Sequence, residues 1–145
     1  MKQKVLRTIS CVFIIIIFMA LSGCSDIFHS KEDIDYMDII LNKEYSNSVK
    51  EGSRNYYMFH AEQNVTYYIL WYIGGSYKLK VATFWYDTGG TVTGEKEDNY
   101  HASLSFSSAR SGDVVVRITA KNDYSSKNTA DYKFMVSTSE KNTIR

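Results

Sequence analysis

The sequence has no proline and very little cysteine. None of its 145 residues is proline, and its two cysteines, Cys11 and Cys24, both lie near the N-terminus. The chain beyond Cys24 therefore has no thiol, which excludes a disulfide framework there and leaves packing alone to hold a folded domain together. Proline often protects exposed sheet edges, and lysines on strand faces are the residues expected to replace it here.

An excess of positive charge is also missing. The whole chain has 17 Lys and Arg against 16 Asp and Glu, a formal net charge of +1. Lys2, Lys4 and Arg7 precede Cys24, whereas every acidic residue follows it, so the chain from Cys24 onward has 14 basic against 16 acidic residues, a net charge of about −2. A chain without a basic stripe is poorly suited to a row of phosphates, so no nucleic-acid partner is predicted.

Motifs of catalysis and cofactor binding are the third absence. The sequence contains neither Gly-x-Ser-x-Gly nor His-Glu-x-x-His. Residues 89–94 have the glycine spacing of a phosphate-binding loop, but Glu95 stands where that loop has its lysine. The three histidines, His29, His60 and His101, have no cysteine to complete the three or four ligands that zinc requires. We therefore predict a protein that is not an enzyme and has no cofactor and no metal.

The N-terminus has the order of a secretion signal. A basic start is followed by an apolar run from Ile9 to Ala20, shorter than the roughly 20 residues that a membrane-spanning helix needs. The run ends in Leu21-Ser22-Gly23-Cys24, which resembles the lipobox of bacterial lipoproteins: leucine, a small residue, glycine or alanine, then cysteine. The resemblance implies that residues 1–23 are a lipoprotein signal peptide and that Cys24 is the lipidation site, with diacylglycerol on its thiol and acyl chains such as palmitate.

Lipidation at Cys24 also predicts the localisation. Two or more acyl chains form a stable membrane anchor, whereas one gives only marginal binding. In Gram-negative lipoproteins an aspartate directly after the cysteine commonly favours the inner membrane, but here Ser25 takes that place and Asp26 follows. The resemblance therefore implies a protein of the cell envelope, bound to a membrane through its N-terminal lipid, in the outer membrane if the source is Gram-negative.

The mature chain divides into a tether, one domain and a tail. Residues 24–38 are polar and acidic and predict a lipidated tether, residues 39–138 predict a single domain, and residues 139–145 predict a frayed tail. Apolar residues of the domain recur with a period of two between turn signals such as Glu51-Gly52-Ser53. The residues predicted to face inward include Phe59, Ile69, Val116 and Phe134. Short strands without a convincing helix predict an all-β, antiparallel sandwich.

Several strand motifs resemble one family in their order and spacing. Leu41-Asn42-Lys43, Glu51-Gly52 and Tyr57-Met58-Phe59-His60-Ala61 resemble the opening of bacterial pre-peptidase C-terminal (PPC) domains. Ser111 to Ile118 is similar to their "Gly-x-Tyr-x-Val-x-Val" strand, and Ala130 to Val136 to their closing "Tyr-x-Leu-x-Val" strand. The resemblance implies a PPC-like, jelly-roll-like β-sandwich that serves as an accessory module, often attached to secreted proteases.

Aromatic residues are concentrated on two consecutive predicted strands. Tyr68 and Tyr72 share one face of the first strand, opposite the core-facing residues. Phe84 and Tyr86 extend this row if Gly74-Gly75 joins the two strands as a hairpin. Exposed aromatic rings stack on sugars or anchor protein partners, whereas the alternative is cross-strand packing that only stabilises the sheet. If this row is not the site, the acidic loop Asp87–Asn99 is the next candidate.

These patterns predict a function without chemistry. We expect a lipid-anchored bacterial envelope protein whose β-sandwich is a non-catalytic binding module for a protein or glycan partner. The possible ligand-binding aromatics are Tyr68, Tyr72, Phe84 and Tyr86. The alternative is a purely structural envelope domain without a specific ligand, and an exposed apolar patch of a few hundred Å² would favour binding.

Overall fold

A computed structural model describes residues 34–74, 77–122 and 129–144 of the chain. Asp35–Arg145 forms one compact unit. The described part contains nine strands, and no helix in it is suited to crossing a membrane. The strands are β1 (Tyr36–Asp38), β2 (Tyr45–Lys50), β3 (Arg54–Ala61), β4 (Thr66–Ile73), β5 (Tyr77–Trp85), β6 (Thr91–Asp98), β7 (Tyr100–Ser107), β8 (Gly112–Asn122) and β9 (Thr129–Ser137). The predicted signal segment and Cys24 lie outside the described residues.

The strands form two sheets that pack as a sandwich. One sheet has five strands in the order β1-β3-β8-β5-β6, and the other has four in the order β2-β9-β4-β7. Neighbouring strands within the sheets are antiparallel, except that β1 runs parallel to β3. The predicted all-β sandwich is therefore confirmed.

The core lies between the two sheets and follows the predicted period of two. On β4, for example, Tyr67, Ile69 and Trp71 are buried, whereas the residues between them are half-buried. Phe59, Val116 and Phe134 are also buried, as predicted. Each fully buried large apolar side chain contributes about 1.5–3 kcal/mol relative to an exposed one. With no thiol beyond Cys24, this packing is the main source of stability.

Two strands lie in segments that were predicted to be irregular. β1 lies at the end of the predicted tether, where Tyr36 pairs with Tyr56 of β3. β6 lies within the predicted loop Asp87–Asn99 and forms an edge of its sheet. Its residues are exposed or half-buried on both faces, so it lacks the apolar alternation by which strands are predicted.

The tail also differs from the prediction of a frayed end. Ile144 is only 7% exposed. The Asn142 side-chain amide donates hydrogen bonds to Asn42 Oδ1 at 3.2 Å and Ser137 Oγ at 2.8 Å. Residues 142–144 lie beside Leu70 of β4 on the outer face of the four-stranded sheet. The tail thus packs against the domain, because this contact buries the apolar side chain of Ile144.

Candidate functional site

The predicted aromatic row is divided between the two sheets. β4 carries Tyr68 and Tyr72 and pairs with β7 and β9, whereas β5 carries Phe84, is followed directly by Tyr86, and pairs with β6 and β8. The condition for one continuous row, a hairpin of β4 and β5, is therefore not met. Both strands have a large apolar face, and placing them in opposite sheets buries the two faces in one core.

Phe84 and Tyr86 are engaged by neighbours on the five-stranded sheet. The Arg117 guanidinium lies 4.8 Å from the centre of the Phe84 ring, and Tyr36 meets Tyr86 edge to face with 5.4 Å between ring centres. Burial, followed by the nearby hydroxyls of Tyr86 and Tyr56, raises the pKa of Tyr36. Both rings of this half of the row are therefore engaged by side chains of their own sheet.

Glu95 and Glu97 of β6 are held in ion pairs on the same outer face. Glu95 accepts hydrogen bonds from Lys80 of β5 and from Arg117 of β8, the latter at 2.6 Å. The bond from Lys80 is the largest cause that lowers the pKa of Glu95. Glu97 pairs with Lys121 at 2.8 Å. These carboxylates thus lie on a strand and link three neighbouring strands, instead of forming a solvated loop cluster.

Tyr72 lines a groove on the outer face of the four-stranded sheet. Strand register brings together Ser46 of β2, Lys133 of β9 and Tyr72 of β4, and Ser48 lies opposite Asp131 two residue pairs along. These five residues line a space of about 450 Å³, with Asn47 and Tyr132 also contributing. We call it the Tyr72 groove. It exists because two serines on an edge strand leave room beside a large tyrosine ring.

A second depression adjoins the groove across a pair of rings. The rings of Tyr72 and His101 lie 4.6 Å apart between their centres, with 35° between their planes. His101 also lines a space of about 350 Å³ together with Leu70, Ser103 and Ile144. We call this space the Ile144 depression. The two concavities thus flank the Tyr72–His101 pair on one sheet face.

Tyr68 is on the same outer face but outside the groove. It pairs with Ser137 of β9, four residue pairs along the strand from the Tyr72–Lys133 pair. Leu70 lies between the two tyrosines on β4, and it lines the depression that the tail residue Ile144 closes. The tail therefore interrupts the predicted continuous surface of Tyr68 and Tyr72. Of the four candidate aromatics, Tyr72 is thus placed in a concavity with polar side chains of two neighbouring strands.

The groove residues other than Tyr72 were missed by the sequence interpretation. Ser46 and Ser48 carry a weak signal, since they alternate on a polar strand. Asp131 and Lys133 alternate with the core residues of β9 and so face outward. Nothing in the sequence, however, indicates that β2, β9 and β4 are neighbours, because they are far apart along the chain.

The histidines on strands do not approach one another. His60 lies on β3 and His101 on β7, in opposite sheets. His60 Nδ1 is 2.8 Å from Asp113 Oδ1, and its Nε2 is 3.8 Å from Glu62 Oε1. In the ranges that the structure covers, no three His, Cys, Asp or Glu side chains are grouped as metal ligands.

Comparison with known proteins supports the fold. No family model matches the sequence, and no curated protein matches it. Among solved structures, the chain is similar to the pre-peptidase C-terminal domain of a collagenase from Bacillus anthracis, with a TM-score of 0.56 and 14% sequence identity. The match covers 71% of this chain and 95% of that domain. The chain therefore has a PPC-like β-sandwich fold.

Proposed function

We propose that this protein is a lipid-anchored bacterial envelope protein whose β-sandwich is a non-catalytic binding module for a protein or glycan partner. The observation that carries the binding proposal is the Tyr72 groove, where an aromatic ring meets hydroxyl, carboxylate and ammonium groups in one concavity. Binding sites typically combine an apolar or aromatic wall with a few convergent polar groups. The lipobox-like Leu21-Ser22-Gly23-Cys24 supports the anchor.

The second candidate is a purely structural envelope domain. The other outer face favours it, because Phe84 and Tyr86 are engaged by Arg117 and Tyr36 of the same chain. The two candidates differ in the expected role of Tyr72. In a binding module its ring contacts a partner, whereas in a structural domain its contact with His101 is its whole contribution.

Capture by the full chain distinguishes these candidates. We expect the immobilised lipoprotein, in detergent, to retain material from solubilised envelopes, and Tyr72→Ala to reduce the retained amount about tenfold because the anchoring ring is lost. Tyr56→Ala is the matched control, since Tyr56 is a half-buried tyrosine on the opposite outer face. Equal retention by both variants, with melting temperatures close to that of the parent, would favour the structural domain.

The anchor has its own test. Cys24→Ser should abolish incorporation of a fatty-acid probe and leave an uncleaved or mislocalised precursor, because the acceptor thiol is gone. Cys11→Ser is the control, since Cys11 lies within the apolar run and outside the lipobox-like residues. Labelling of Cys24→Ser at the level of the parent would show that the anchor proposal is wrong.

A further inference from the structure

We infer that the Tyr72 groove binds a neutral oligosaccharide. This inference rests on the proposed binding function and assigns it a ligand class. The groove combines the ring of Tyr72 with the hydroxyls of Ser46 and Ser48 and the carboxylate of Asp131. An aromatic face and hydroxyl-binding groups in one shallow space are the chemistry that a pyranose ring requires.

The aromatic wall suits one face of a sugar. A pyranose has a face of C–H groups, which carry partial positive charge next to the ring oxygens. The face of an aromatic ring is the negative part of its quadrupole, so the two surfaces attract each other and also exclude water. Tyr72 is half-buried and held against His101, so its orientation is set before a ligand arrives and little conformational entropy is lost on binding.

The polar groups suit the rim of a sugar. Asp131 is exposed and makes no hydrogen bond or ion pair with the residues that the structure describes. Its ionised carboxylate is an acceptor only, so it suits two neighbouring hydroxyl donors. The Ser46 and Ser48 hydroxyls both donate and accept, which matches a ligand whose own groups do the same.

The charges favour a ligand without net charge. The groove holds one carboxylate, Asp131, and one ammonium, Lys133, and the Lys133 Nζ is already 3.1 Å from Glu44 Oε1. An anionic ligand such as a phosphosugar is repelled by the carboxylate of Asp131, and a cationic ligand is repelled by the ammonium of Lys133. A flat apolar partner is also disfavoured, because it leaves the carboxylate and the serines without hydrogen bonds.

The neighbouring concavity extends the site to more than one sugar. The groove and the Ile144 depression measure about 450 and 350 Å³ and flank the Tyr72–His101 pair. A chain of sugar rings crossing this pair places one ring in each space. Ser103 of the depression offers a further hydroxyl-bearing side chain beside Ser46 and Ser48 of the groove. Affinity is therefore expected to rise with the number of sugar units.

Titration of the full-length lipoprotein with tetrasaccharides tests the inference. The probes are the tetramers of glucose, N-acetylglucosamine, mannose and galactose. Their binding is measured by saturation-transfer NMR in a detergent without a sugar headgroup. We expect at least one tetramer to bind, about tenfold more tightly than its monosaccharide. Tyr72→Ala and Asp131→Asn should each weaken it about tenfold, because each removes one principal contact.

Two variants serve as controls. Tyr72→Phe retains the ring and should bind more tightly than Tyr72→Ala, whereas Tyr56→Ala alters the opposite face and should leave binding unchanged. The melting temperature of every variant separates loss of contact from loss of fold. Equal binding by Tyr72→Ala and the parent overturns the inference.

Failure of the sugar assignment is distinguishable from failure of the binding function. If no tetramer binds while Tyr72-dependent capture of envelope material persists, the saccharide inference is wrong and the binding module stands. If Tyr72-dependent capture is absent as well, both are wrong.

Discussion

At the scale of single residues, Arg110 fixes one end of the sandwich by two kinds of contact. Its guanidinium donates two hydrogen bonds to the Asp87 carboxylate, at 2.6 and 2.7 Å. It also lies over the Trp85 ring, 4.2 Å from the ring centre. A planar guanidinium makes both contacts at once, which a lysine ammonium does not. Arg110 thus joins the β7–β8 connection to the β5–β6 turn.

This contact predicts a pH dependence of stability. The hydrogen bonds from Arg110 are the largest cause that lowers the pKa of Asp87 from 3.8 to about 2. Because the pKa is lower in the folded state, the contribution to stability is complete above the unfolded value and is lost as the pH falls from 3.8 towards about 2. Asp87→Asn should therefore lower the melting temperature at pH 7, and the difference from the parent should shrink across this range. A difference that stays constant with pH would contradict the prediction.

Two buried tyrosines show how polar groups are accommodated in the core. Tyr57 of β3 and Tyr132 of β9 face each other across the sandwich, and their hydroxyl oxygens are 2.5 Å apart. Asn55 donates to the Tyr132 hydroxyl and Asn47 donates to that of Tyr57, both at 2.8 Å. Burial raises the pKa of Tyr132 well above its usual range. The network satisfies both hydroxyls and joins the two sheets.

At the scale of elements, the alternation of apolar and polar residues predicts which face of a strand is buried far better than it predicts which strands lie next to it. The inward residues of β3, β4, β8 and β9 follow from their period of two, because only one face of each strand meets the core. The Gly74-Gly75 signal was equally compatible with a hairpin and with a crossing between sheets. The site depends on which strands are neighbours, since the Tyr72 groove requires β2, β9 and β4 in register.

The short strand β1 and the polar strand β6 are the two strands that the local sequence pattern does not predict. β1 has three residues, and its Tyr36 ring contacts Tyr56 and Tyr86, which are distant in sequence. β6 has both faces partly in solvent, pairs with β5 through the backbone, and is also held by ion pairs with side chains of β5 and β8. Neither has a buried face of its own, so neither carries the signal of alternation.

Alanine substitutions test the register of the core strands. Truncation of Ile69 or Phe134, both fully buried, should lower the free energy of unfolding by about 2–5 kcal/mol through lost burial and a residual cavity. Lys133→Ala, on the outward face of β9, should change it by less than about 1 kcal/mol because its ion pair with Glu44 is partly exposed to solvent. Chemical denaturation measures all three. Similar losses for both faces would indicate a one-residue register error.

At the scale of the whole molecule, the tail closes the outer face of the four-stranded sheet. Met135 faces outward from β9, yet it is only 5% exposed, and it lines a depression with residues 141–143. Ile144 lies near Leu70 at the other side of that face. The tail thus covers apolar surface that a bare sheet presents to solvent.

Removing this cover should weaken the domain. Ile144→Ala should lower the free energy of unfolding by about 1–3 kcal/mol, since the side chain is buried but lies outside the main core. Thr143→Ala, at the exposed neighbour, is the matched control and should be within about 0.5 kcal/mol of the parent. Equal stability of both variants and the parent would show that the tail is not anchored by Ile144.

The order of strands has a consequence for the time at which the domain is able to form. β2 is an edge strand whose partner in its sheet is β9. The first strand of the four-stranded sheet therefore pairs only after the last of the nine described strands has been synthesised. β3 likewise meets its antiparallel partner only after β8 has been synthesised. Within the described sheets, β5 and β6 are the one pair of consecutive strands that are neighbours. Pairing between distant segments requires large loops to close first, which makes folding slow. A ribosome that is still synthesising residues before Thr129 therefore holds a chain that lacks the strand joining β2 to β4, so the four-stranded sheet is completed only after β9 has been made.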